Sequence, residues 1–172
     1  MGGSDYIGND SLRKSLRAFL SKYNAVAIAD TYANVFDAGS KRIINPRGLG
    51  DSITSDYVKA LQPDLIISFG NIYYSTVKYF IPQFAKGCEH WQISLDGIMN
   101  DGYKCLKHIF ECRPEEFFEK CASMSSAKND DVYVKVWNDR MKRHVYPDLK
   151  FTNFAVTKEF CSRIPAGSVY HT

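Results

Sequence analysis

Several signatures of common binding sites are missing from this chain of 172 residues. No G-x-G-x-x-G follows the first predicted strand, and no P-loop lysine pattern occurs anywhere. Such glycine-rich turns bring backbone N–H groups against phosphates. Gly48-Leu49-Gly50 is a lone G-x-G that does not follow a strand, so it is interpreted as loop rather than as a phosphate cradle. The sequence therefore argues against a conventional NAD or ATP site.

The cysteine pattern lacks the spacing of a metal site. The chain has five cysteines, with irregular gaps and no C-x-x-C, and its four histidines do not fall at zinc-ligand spacings. These features favour reduced, mostly buried thiols in a cytoplasmic protein. The residues concerned are Cys88, Cys105, Cys112, Cys121 and Cys161.

Signals for membranes and nucleic acids are equally scarce. No apolar run approaches the roughly 20 residues of a membrane span, and Met1 to Asp5 lack the basic start and apolar stretch of a secretory signal. The net charge is only +3, with basic residues scattered along the chain. We therefore expect no membrane or nucleic-acid partner and a cytoplasmic location, with residues 1–8 as a disordered lead or cloning remnant.

What the sequence does contain is a set of short apolar strands between helical segments. In the central stretch Gln62–Asn71, a proline and an acid precede apolar positions that only Ser68 interrupts, and Gly70 follows. This pattern predicts a short strand buried on both faces. The other predictions are helix 11–23, strand 25–29, irregular chain 36–51, helix 54–61, helix 75–84, strand 90–94, strand 104–111, a helix starting at 113, helix 132–144, helix 152–163, and a turn and strand over 164–171.

The alternation of strands and helices predicts an α/β fold with a parallel sheet and helices on both faces. Four polar residues would cluster at the carboxyl edge of such a sheet, where ligands usually bind: Asp30, Asn34, Asn71 and Ser75. Turn formation and helix capping explain the same residues, and we favour this interpretation over a ligand site. Both interpretations stay open.

None of the remaining polar residues forms a recognisable nucleophile–base pair in the sequence. His90 at a strand start is interpreted as a packed histidine rather than a catalytic base. Glu115-Glu116 is interpreted as charge at a helix start, where it opposes the positive end of the dipole. No catalytic, cofactor-binding or metal-ligating residue is assigned.

Three segments together resemble a known family. They are Pro63–Gly70 (PDLIISFG), His90–Gly97 (HWQISLDG) and Arg113–Phe117 (RPEEF). They resemble the middle domain of thiamine-diphosphate-dependent enzymes, and most of all the succinyl-enolpyruvyl-hydroxycyclohexene-carboxylate synthases of menaquinone biosynthesis. Asp30-Thr31-Tyr32 matches the family's first polar turn more loosely, and Ile164–His171 resembles the lead-in to its C-terminal domain.

This resemblance implies a six-stranded Rossmann-like domain of the deoxyhypusine-synthase NAD/FAD-binding type. In the family, a Gly-Asp-Gly…Asn signature in the C-terminal domain holds the diphosphate and magnesium, and the N-terminal domain carries the activating glutamate. This sequence contains no Gly-Asp-Gly. We therefore expect a fragment without its own cofactor, with residues 9–128 as the α/β middle domain and 129–172 as a helical linker towards the cofactor domain.

The implied function is that of a central structural domain in a thiamine-diphosphate-dependent transferase that decarboxylates a 2-oxo acid. Its partners would be the enzyme's own N- and C-terminal catalytic domains, in a homo-oligomer. The family's Lys-Arg pair after Phe-Gly aligns with Thr76 and Val77, which leaves Lys78 as the nearest cation and the acceptor substrate open. Lys78 thus joins Asp30, Asn34, Asn71 and Ser75 as a candidate for the substrate rim. The alternative is a free-standing nucleotide-binding or protein-interaction module.

Overall fold

The computed structural model describes residues 10–29, 33, 35, 40–44, 60–70, 87–125, 129–142, 150–165, 167 and 168. In chain order these residues form α1 (Asp10–Lys22), β1 (Ala27–Ile28), β2 (Ile43–Ile44), β3 (Leu65–Phe69), β4 (Glu89–Ile93), β5 (Leu106–Phe110), α2 (Pro114–Ser123), α3 (Val132–Lys142) and α4 (Asn153–Arg163).

The described strands form two sheets, and every pairing in them is parallel. β1 pairs with β2, and β3, β4 and β5 pair in that order. In the larger sheet Ile66 lies opposite His90, and Gln92 lies opposite both Ser68 and Ile109. With helices packed against these parallel strands, the predicted α/β, Rossmann-like fold class is confirmed.

Two helices cover one face of the larger sheet because their apolar residues recur at helical spacing. In α1, Leu12, Leu16 and Leu20 are buried one turn apart. In α2, Phe117 and Phe118 are buried, and the Phe118 ring lies 5.1 Å from that of Phe19 on α1. The two helices thus share one apolar cluster with Phe69 and Ile93 of the sheet.

The start of α2 follows the sequence signal closely. Pro114 occupies the first helical turn, where its missing N–H has no intrahelical partner to lose. The Glu116 side chain accepts a hydrogen bond from the backbone N–H of Arg113, at 3.3 Å. The interpretation of Glu115-Glu116 as charge at a helix start is therefore confirmed.

The two C-terminal helices differ in how they contact the rest of the chain. Trp137 of α3 is buried against Ile44 and Leu61, and the Asn138 side chain donates to the Lys41 carbonyl at 2.7 Å. By contrast, α4 has no buried side chain, and its main local stabilisation is Thr152, whose hydroxyl accepts from the Ala155 N–H. The predicted division of the chain at residues 128 and 129 stays a prediction.

Two details depart from the sequence predictions, and a third prediction is tested only in part. Residues 36–51 were expected to be irregular, yet Ile43–Ile44 forms β2, because a two-residue strand has no periodicity and depends on pairing with β1. Only Cys88 is fully buried among the five free thiols, and Cys161 on α4 is exposed. Where a final turn and strand were expected, Ser168 N–H donates to the Pro165 carbonyl in a turn, and the other residues of the strand lie outside the described ranges.

Candidate functional site

The substrate-rim residues predicted from the sequence lie outside the described part of the chain. This applies to Asp30, Asn34, Asn71, Ser75 and Lys78. It applies equally to the helix predicted over 75–84 and to the G-x-G at 48–50. Their proximity at the carboxyl edge of the sheet therefore stays a prediction.

A cavity of about 670 Å³ separates the two sheets. Its walls include residues 24–28, which contain β1, and residues 61–69, which contain β3. In a doubly wound sheet of strand order 2-1-3-4-5, the first and third strands lie side by side. Here they belong to different sheets, so the edge of β3 that is not paired with β4 borders the cavity.

The lining of the cavity is mainly apolar and aromatic. All three apolar clusters of described residues contribute to it, through Phe69, Trp137 and Ile66 among others. Asp64 is the one charged side chain among the described lining residues, and it is exposed. An anion in such a site loses its hydration without gaining a cationic partner, so the lining disfavours anions.

One polar pair lies against this apolar lining. Ser68 is one of the residues that line the cavity, and its hydroxyl is 2.7 Å from Nε2 of His90. Ser68 is 8% exposed and His90 is fully buried, with its ring edge-on to Tyr103 at 4.9 Å. Ser68 and His90 meet because the parallel register places Ile66 opposite His90 and brings the next residue on that face of β3, Ser68, within reach.

The other ring nitrogen of His90 faces a carboxylate at longer range. Nδ1 lies 3.7 Å from Oδ1 of Asp101, beyond hydrogen-bonding distance, and is buried without a hydrogen-bond partner. Burial lowers the pKa of His90 below its ordinary value, against the opposing effect of Asp101. His90 is therefore neutral at pH 7, and the carboxylate favours the tautomer with its proton on Nδ1.

Ser68, His90 and Asp101 are the residue types of an acyl-transfer triad, but their arrangement suits a structural role. Oδ1 of Asp101 accepts the backbone N–H groups of Cys105 and Leu106, both at 3.1 Å. The carboxylate thus holds the turn that leads into β5. In the tautomer described, Nε2 accepts the Ser68 hydroxyl proton, and the serine oxygen keeps lone pairs that can accept a second hydrogen bond.

Two further buried groups near His90 are neutral at physiological pH. Burial raises the pKa of the Cys88 thiol to about 11 and that of the Tyr103 hydroxyl to about 12. A thiol that stays protonated is a poor nucleophile and a poor metal ligand. Among the residues that the structure describes, no group of three or more His, Cys, Asp or Glu side chains is placed to hold a metal ion.

The sequence interpretation of His90 as a packed histidine agrees with its complete burial. Its pairing with Ser68 was missed, because the two residues are 22 positions apart and meet only through the strand register. One signal was available: Ser68 interrupts an otherwise apolar strand, and a buried hydroxyl needs a partner. The cavity itself had no signal in the sequence.

None of the described helices combines the length and the apolar character that crossing a bilayer requires.

Comparison with known proteins points to one kind of enzyme. The chain is similar to the 2-succinyl-5-enolpyruvyl-6-hydroxy-3-cyclohexene-1-carboxylate synthase of Phocaeicola vulgatus, with 27% identity over 121 residues, which cover 70% of this chain and 21% of the synthase. The synthase of the same name from Bacteroides fragilis is 28% identical over 111 residues, covering 63% of this chain and 20% of that protein.

A third synthase of that name matches nearly the whole chain. The protein from Cytophaga hutchinsonii is 25% identical over an alignment of 177 positions, covering 96% of this chain and 31% of the synthase. The chain thus spans about a fifth to a third of the length of the relatives it matches. No protein-family model matches the sequence.

Proposed function

We propose that this chain is the central structural domain of a cytoplasmic, thiamine-diphosphate-dependent 2-oxo acid decarboxylating transferase that resembles the menaquinone-pathway synthases. The observation that carries the proposal is the match to the Cytophaga hutchinsonii synthase, which covers 96% of this chain but only 31% of that enzyme. A segment with this coverage corresponds to one domain of a longer enzyme. The parallel α/β architecture supports the same assignment.

The described residues do not fit the cofactor of such a parent. Thiamine diphosphate supplies the electron sink for a decarboxylated 2-oxo acid, and its diphosphate needs cations and backbone N–H donors around it. The cavity between the sheets has no lysine, arginine or histidine among its described lining residues, and Asp64 would repel an anion. We therefore assign the cofactor and its magnesium to other domains of the parent, and no reaction step to this segment.

The role we propose for the domain is to hold the two catalytic domains of the parent apart, within a homo-oligomer. Its larger sheet and the paired helices α1 and α2 form a packed body suited to that purpose. The exposed aromatic residues at α4, Phe151 and Phe154 among them, are suited to contact a neighbouring domain. The predicted rim residues Asp30, Asn34, Asn71, Ser75 and Lys78 would face the substrate of the parent.

Calorimetry tests this division of roles. We expect no heat of binding when thiamine diphosphate and Mg²⁺ are titrated into this chain, with a full-length synthase of the resembled family as positive control. Sequencing the source gene on both sides should reveal a Gly-Asp-Gly signature downstream and a glutamate-bearing domain upstream. Saturable cofactor binding by this chain, or flanking sequence without either signature, would overturn the proposal.

A protein-interaction module is the second candidate, favoured by α4. Val156 and Phe160 are 66% and 56% exposed on a helix without any buried side chain. If this helix binds partners by itself, the chain should self-associate in analytical ultracentrifugation, and Val156→Ser should weaken that association. A monomer at all concentrations would count against this candidate.

A further inference from the structure

We propose that the cavity between β1 and β3 is a binding site for a neutral aromatic molecule that carries one N–H or O–H donor, with Oγ of Ser68 as the acceptor. The inference stands on the geometry of the cavity and does not depend on the function proposed above.

The size of the cavity is the first argument. Small-molecule sites are clefts or cavities of roughly 300–1,000 Å³. At about 670 Å³ the space between the sheets falls within that range. It is large enough for a molecule with two or three rings.

The chemistry of the walls decides what kind of molecule fits. Aromatic rings line the cavity from the helices, the larger sheet and the turns beside them: Phe19, Tyr23, Phe69, Trp91, Tyr103, Phe118, Tyr133 and Trp137. Rings of this kind pack favourably against another flat ring. The described lining offers no cationic side chain to neutralise an anion, and its only carboxylate, Asp64, is exposed to water. A neutral aromatic molecule is therefore preferred over an anionic one.

Ser68 supplies the polar anchor. Its side chain is more than nine-tenths buried, lies on the cavity wall and is 2.7 Å from His90 Nε2. Because Asp101 favours the proton on Nδ1 of His90, the serine donates its own proton to Nε2. Its oxygen can then accept a hydrogen bond but cannot donate one, so the ligand must bring the donor.

Fluorescence provides a direct test, because both tryptophans of the chain, Trp91 and Trp137, line the cavity. The probe is N-phenyl-1-naphthylamine, which is neutral and aromatic and has one N–H. We expect saturable binding of one probe per chain, with a several-fold rise in probe emission and quenching of tryptophan emission. The anionic analogue 8-anilinonaphthalene-1-sulfonate should bind at least about tenfold more weakly, since its sulfonate finds no cation.

Competition tests the anchor separately. 4-Phenylphenol should displace the probe about tenfold better than biphenyl, because one hydrogen bond is worth about 1 kcal/mol or slightly more. Ser68→Ala should abolish this preference while biphenyl still competes. Ser162→Ala, on the exposed face of α4, is the matched control and should preserve the preference.

A second variant keeps the test valid if Ser68→Ala does not fold. Ala27→Leu adds a larger side chain to the β1 wall and should weaken all neutral probes about tenfold or more, with the circular dichroism unchanged. The proposal fails if the folded chain shows no saturable probe binding. It fails equally if the anionic probe binds as tightly as the neutral one, or if Ala27→Leu leaves binding unaltered.

Discussion

The two sheets that the described residues form are stabilised in different ways. In the larger one, three strands of five residues pair in parallel, with one register shift between His90 and Trp91 where β4 pairs with β5, and the buried polar side chains bond within the same region. Gln92, for example, donates to the Ile98 carbonyl and accepts from the Asn100 N–H. The smaller sheet has two strands of two residues, β1 and β2.

The smaller sheet depends on side chains from outside it. Arg42, directly before β2, pairs with Asp131, which precedes α3. Asn138 and Trp137 of α3 contact the same segment through the Lys41 carbonyl and Ile44. The comparison indicates that contacts within its own region stabilise the larger sheet. The smaller sheet depends on contacts with α3 and should unfold first when α3 is disturbed.

The largest expected effect is the loss of the core shared by α1, α2 and the larger sheet. Phe118 is 2% exposed, and its ring lies 5.1 Å from Phe19 and 5.4 Å from Phe69. Phe118→Ala should lower the free energy of unfolding by about 3–5 kcal/mol in urea titrations. Leu95→Ala, at an exposed site, is the control and should change it by less than about 0.5 kcal/mol. A loss below about 1 kcal/mol for Phe118→Ala would contradict this view of the core.

The next largest effect should reveal a difference in local stability between the two sheets. Trp137→Ala removes the ring packed on Ile44 and Leu61 and should lower the free energy of unfolding by about 3 kcal/mol. This is the lower end of the range for truncating a buried aromatic residue, because the ring already borders the cavity. Hydrogen exchange should accelerate for β1 and β2 amides and stay slow for β4 and β5. Equal acceleration in both sheets would show that they unfold as one unit.

Within the larger sheet, Ser68→Ala tests the buried polar pair. Removing the hydroxyl leaves Nε2 of His90 buried without its partner, so the free energy of unfolding should fall by about 1–3 kcal/mol. Ser162→Ala, at an exposed site, should leave stability unchanged. An equally small change for both variants would mean that water replaces the hydroxyl.

The pH dependence of stability should report on His90. Its pKa in the folded chain lies below the ordinary value of 6.5, mainly because of burial, while Asp101 opposes the shift. As the pH falls through 6.5, the unfolded chain therefore takes up a proton first, and the free energy of unfolding decreases. Above that pH the contribution of His90 to the free energy of unfolding is constant. Tyr103, whose pKa is raised to about 12, contributes nothing in this range.

His90→Gln is the variant for this measurement, since an amide can still bond to Ser68 but does not titrate. Between pH 7.5 and pH 5 its stability should decline less steeply than that of the unaltered chain. Parallel pH profiles for the two proteins would assign the decline to other groups.

The smallest effect is expected outside both sheets. Val156 on α4 is 66% exposed, so Val156→Ser should change the free energy of unfolding by less than about 0.5 kcal/mol. A clear loss of stability in thermal unfolding would mean that α4 packs on the chain more closely than its exposure indicates.

Much of the fold was predictable because it follows from local patterns. The spacing of Leu12, Leu16 and Leu20 predicts α1, the apolar run before Gly70 predicts β3, and Pro114 followed by acids predicts the start of α2. The candidate site was not predictable in the same way. The contact of Ser68 with His90 depends on strand register, and β2 depends on a neighbour far from it in the sequence.

By itself the sequence determined the types of the longer described elements, the parallel α/β class and the absence of a glycine-rich phosphate loop, because these depend on side-chain period and on short motifs. Only the tertiary structure decided that β1 and β3 belong to separate sheets with a cavity between them, and that a serine on that wall is paired with a buried histidine. Such features arise when distant segments compete for the same partners, and no local pattern in the chain records which of them pair.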